Sequence, residues 1–68
     1  SVQVGRVGTR LKTVAVPEGA TVEDVLEEVG LAPKTTEELR LNGDEVSYDD
    51  EVEDNDVIML VKNIEGGN

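Results

Sequence analysis

The spacing of apolar residues changes period twice along this chain. Val2 and Val4 alternate with Gln3 and Gly5, with Val7 beyond them, and predict a short strand. Leu11 to Val16 form a second run rich in β-branched residues, ended by Pro17 and Gly19. Gly8-Thr9 lies between the two, so they predict an antiparallel hairpin, with Gly5 weakening the first strand or marking a bulge. From Val22 the period becomes helical. Val22, Val25, Leu26 and Val29 fall three and four apart on one stripe, while Glu23, Asp24, Glu27 and Glu28 take the other face. Thr21 is the expected N-cap, Asp24 stands where a capping box has its acid, and Gly30 is placed to end the helix in the left-handed region. A helix of about two turns does not hold alone in water, so this one must lie on a sheet.

After the helix, residues Pro33 to Glu37 read as a connector with room for one 3₁₀ turn. Leu39-Arg40-Leu41, then Asn42-Gly43, then Glu45-Val46 predict a second hairpin around a type I′ turn, because Asn and Gly both tolerate positive φ. A very short strand around Val46 to Tyr48 is also allowed. Asp54-Asn55-Asp56 then turns the chain into Val57 to Val61, the most apolar run in the sequence. A strand with one wet face should alternate, and this one does not, which predicts a central strand. Ile58 and Leu60 are assigned to the helix side, Met59 and Val61 to the open face. If outward residues of neighbouring strands join Met59 and Val61, they form a partner surface; the plainer reading is a central strand filled by β-propensity. The order ββαβββ predicts an α+β fold, a mixed sheet of four to five strands with one helix across one face.

Composition narrows what such a domain does. Sixty-eight residues make one small domain near the lower limit for an unstapled core. With no Cys and no His, disulfides and zinc are excluded and the usual nucleophiles and bases are missing, so no catalytic residue, metal site, cofactor or enzyme activity is expected. Sixteen acidic residues against six basic give a net charge of −10, and Tyr48 is the only aromatic, a poor match to nucleic acid. The acidity favours either encounter with a basic protein surface or simple self-solvation, as in a salt-adapted proteome. Asp44 to Asp56 holds eight carboxylates and no basic residue, but without the calcium-loop spacing it reads as a solvated loop. No stretch resembles a membrane span or signal peptide, and a cytoplasmic monomer is expected.

Three stretches carry a resemblance. Pro17-Glu18-Gly19-Ala20-Thr21-Val22 before the helix, Leu41-Asn42-Gly43-Asp44-Glu45-Val46 at the second hairpin, and Asp54-Asn55-Asp56-Val57-Ile58 opening the last strand resemble the ubiquitin-like β-grasp family. Within it the chain is most similar to the sulfur carriers, the molybdopterin synthase small subunit and the thiamine-biosynthesis carrier. The resemblance implies a β-grasp domain over residues 1–64 and a flexible tail over 65–68. It also implies a sulfur carrier or protein modifier whose Gly66-Gly67 end is adenylated by an activating enzyme. Glycine suits that role because a tail without Cβ can thread a narrow channel. Asn68 departs from the pattern, since it leaves Gly67 in a peptide bond. Either a protease removes Asn68, or the chain ends at an arbitrary boundary, or the protein is a non-conjugating β-grasp interaction domain.

Overall fold

The computed structural model describes residues 1–62. The Gly66-Gly67 tail, the expected mobility of residues 65–68 and the domain boundary after Ile64 lie outside the described residues.

Five strands and one helix form in the order β1 (Val2–Arg6), β2 (Lys12–Val14), α1 (Val22–Val29), β3 (Glu37–Leu41), β4 (Asp44–Glu45) and β5 (Val57–Lys62). The sheet runs β2-β1-β5-β3-β4, so β5, the last strand in sequence, is the middle one in space. It pairs parallel with β1 (Val4 opposite Ile58) and antiparallel with β3 (Leu39 opposite Leu60). The two hairpins close the flanks antiparallel. This is the mixed-sheet α+β arrangement of the β-grasp, with the helix on one face.

The helix forms where its stripe and its caps agree. Thr21 is the N-cap; its hydroxyl accepts from the Asp24 amide at 3.3 Å, and the Asp24 carboxylate accepts from the Thr21 amide at 3.0 Å. That reciprocal pair satisfies two donors that a helix start leaves free. At the other end Gly30 has φ 71°, and the amides of Gly30 and Leu31 return to the Glu27 and Leu26 carbonyls. Val22, Val25 and Leu26 are buried against the sheet together with Val2, Val4, Ile58 and Leu60, while Val29 is half-buried at the rim. Burying one such side chain stabilises by about 1.5–3 kcal/mol, so this layer is the main support of the fold.

Several details differ from the sequence reading. β1 stops at Arg6, leaving Val7 exposed, and β2 is only three residues long. β3 begins at Glu37, inside the expected connector, because residues 37–41 pair with β5 along their whole length; no 3₁₀ turn forms there. The second hairpin keeps its tight turn, with Asn42 at φ 53° and Gly43 at φ 91°. Residues 46–48 are not a strand, since β4 ends at Glu45. Among residues read as solvated loop, Val52 is buried, and its amide bonds the Ala20 carbonyl at 2.9 Å.

Candidate functional site

Alternation along β5 divides its side chains between two environments. Ile58 and Leu60 are fully buried under the helix, as the sequence assigned them. Val57, Met59 and Val61 point the other way and stay half-exposed on the open face of the sheet. Central strands of mixed sheets are apolar on both sides, and here one side lacks a covering layer among the described residues.

Neighbouring strands decide whether Met59 and Val61 stand alone. Across from Met59 on β1 is Gly5, which brings no side chain of its own. Leu11 occupies that space: a Cβ built on Gly5 would come within 2.8 Å of the Leu11 Cδ2 atom and 3.2 Å of the Arg10 carbonyl oxygen. Leu11 itself is 39% exposed and Val7 is 59% exposed, so the end of the first hairpin adds apolar surface beside β5. The sequence suggested that Gly5 weakens the first strand or marks a bulge. Its role in the fold is to let the β2 side of the hairpin close down over β1.

On the opposite flank the face turns polar. Arg40 lies across from Met59 and Glu38 across from Val61, and these two β3 residues pair with each other, the Arg40 Nε donating to Glu38 at 3.1 Å. Cross-strand Glu45 stands beside Arg40. The result is an apolar strip over β5 and the hairpin end, bordered by charge along β3.

A second group near the end of β5 was missed by the sequence reading. Arg6 donates from Nε and Nη2 to both oxygens of Glu37, at 2.7 and 3.1 Å, and from Nη2 to the Ala32 carbonyl at 3.1 Å. Glu37 also accepts from the Lys34 amide at 3.0 Å. The hydrogen bonds from Arg6, then that from Lys34, hold the Glu37 carboxyl well below its ordinary 4.5, at about 2. This fork ties β1 to the start of β3 and to the connector, at the end of the sheet where β5 finishes. No local pattern pairs residues 6 and 37; only the shared neighbour β5 brings them together.

Two further features bound the chemistry. Among the described residues no group of three or more acidic side chains is arranged to hold a metal ion, and no helix is long and apolar enough to cross a membrane. Asp44 to Asp56 does more than solvate itself: the Tyr48 and Asp50 carbonyls accept from the Glu23 and Val22 amides, each at 2.9 Å, and so complete the start of the helix. Comparison with models of known protein families and with curated proteins returns no match.

Proposed function

We propose that this chain is a small ubiquitin-like carrier or modifier. A protein partner docks on the open sheet face around Met59 and Val61, and an adenylating enzyme activates the Gly66-Gly67 end once a protease has removed Asn68. The observation that supports this is the position of β5. The strand that carries the half-exposed apolar strip is the same strand that leads to Gly66-Gly67, so docking and presentation of the tail are coupled by the covalent chain. From Lys62 to Gly67 is a reach of at most about 18 Å when extended, which keeps the activated carboxylate within an enzyme bound to the strip. In this scheme the protein is a substrate and supplies no catalytic group or cofactor. A compartment holding ATP, such as the cytoplasm, suffices.

The chemical step is simple. A Gly67 carboxylate oxygen attacks the α-phosphorus of ATP, a new P–O bond forms, and pyrophosphate leaves. A chain ending at Gly67 is therefore expected to support ATP-dependent pyrophosphate release with its activating enzyme, while the chain ending at Asn68 does not, since its Gly67 carbonyl is already an amide. Gly66→Val in the shorter chain is expected to fail as well, because a β-branched side chain does not fit where glycine threads. Equal activity of the two chain lengths would end the carrier reading.

A second reading, a non-conjugating β-grasp interaction domain, is favoured by one specific observation. The apolar strip is complete without the tail, since Leu11, Met59 and Val61 all lie within the sheet and its hairpin. Partner capture that survives deletion of residues 65–68 but is lost in Met59→Glu would select this reading.

A further inference from the structure

The six basic residues are not spread evenly over this acidic chain. Arg6, Arg10 and Lys12 line one groove of about 320 Å³ between the end of the first hairpin and the C-terminal end of the helix, and no carboxylate lines it. The other main groove, about 490 Å³, has the opposite character, with Glu18, Glu51, Glu53 and Asp54 in its walls. In a molecule of net charge −10, a groove whose only charged wall residues are cations stands out from the acidic surface around it.

Its three cations are not equivalent. Arg6 is committed to Glu37 and the Ala32 carbonyl and forms part of the frame. Arg10 and Lys12 are exposed, and neither is held in an ion pair among the described residues. They project from a rigid base, because Lys12 stands opposite Val4 in the β1–β2 ladder and the Arg6–Thr9 turn is closed by the Thr9 amide at 3.0 Å.

The rest of the groove selects among anions. A phosphate group seeks convergent backbone amides or a helix N-terminus. Here the amides of Thr9, Gly30 and Leu31 are already bonded to the Arg6, Glu27 and Leu26 carbonyls. Nucleic acid and anionic membranes extend past the groove onto the acidic surface around it, which a short segment does not. Beside the two cations are the half-buried Val29 and Leu31. Two flexible cations next to apolar side chains match carboxylates set among apolar residues.

We propose that this groove docks an acidic amphipathic segment of a protein partner, with Arg10 and Lys12 receiving its carboxylates and Val29 and Leu31 its apolar side chains. This site lies at the hairpin–helix junction and is separate from the strip on β5. The test uses the whole chain labelled with nitrogen-15. It is titrated with a short peptide alternating Glu and Leu, with the Gln and Leu version of that peptide, and with inorganic phosphate. The acidic peptide is expected to shift the amides of residues 9–12 and 29–32, with weakening as salt rises. The R10Q/K12Q double variant is expected to lose affinity by about three- to tenfold, in keeping with two exposed charge pairs, while keeping the amide spectrum of the folded sheet, because neither side chain is in an ion pair among the described residues. Arg10→Lys should restore most of the effect where Arg10→Gln does not. Equal binding of the neutral peptide, shifts centred on Met59 and Val61, or phosphate matching the acidic peptide would each overturn the proposal.

Discussion

At the scale of single residues, the Arg6–Glu37 fork makes the clearest prediction. The Glu37 side chain is only 8% exposed and that of Arg6 28%, so the pair is better shielded than the Glu38–Arg40 contact on the open face. A carboxyl whose folded pKa is depressed adds stability above its unfolded value and loses it as pH falls toward the folded one. For Glu37 that window runs from 4.5 down to about 2. Glu37→Gln is therefore expected to be less stable than the parent at neutral pH, with the gap narrowing below pH 4.5 and closing near pH 2. Denaturant titrations of both proteins across that range check it. A constant gap would mean that Glu37 acts through packing rather than charge. The capping residues Thr21, Asp24 and Gly30 were legible because their chemistry is local. Arg6 and Glu37 were not, because their proximity follows only from the strand order.

The second hairpin and the segment after it set the behaviour of whole elements. Asn42 does more than turn the chain: its side chain accepts from the Val57 amide and donates to Asp56, both at 2.9 Å, so the turn also fixes where β5 begins. Further along, Val52 anchors the acidic segment at the start of α1, beside the backbone bonds that the Tyr48 and Asp50 carbonyls accept. Val52→Ala is expected to cost about 1.5–3 kcal/mol, the worth of a buried valine side chain or less where the site collapses. Hydrogen exchange should show the Val22 and Glu23 amides losing protection more than those in β5. Uniform loss of protection would mean that loop and helix open only with the whole fold. The helix was legible from its period. The role of the acidic segment was hidden, since Val52 is a single apolar residue between Glu51 and Glu53 and its neighbours contribute backbone carbonyls, which any residue type carries.

For the molecule as a whole, charge and topology pull in different directions. A net charge of −10 on 68 residues repels itself, whereas the ion pairs among the described residues number three, two of them partly shielded from salt. Added sodium chloride is therefore expected to raise the thermal midpoint, by about 4–8 °C for each kcal/mol of repulsion relieved in a domain of this size. A falling midpoint in a salt series would show that the pairs outweigh the repulsion. The sheet itself was largely readable, since the unbroken apolar run at residues 57–61 marked β5 as central; the parallel partner β1 depended on distant contacts, and the closure of Leu11 over Gly5 on the register of the first hairpin. That central placement also sets a timetable for synthesis. β5 leaves the ribosome last of the five strands, and until it does the hairpins β1–β2 and β3–β4 have no common neighbour. The helix meanwhile lacks the middle strand of its floor, so the nascent chain carries its apolar residues uncovered until β5 emerges. Folding is then a single late event, triggered by the emergence of the segment that joins the two halves.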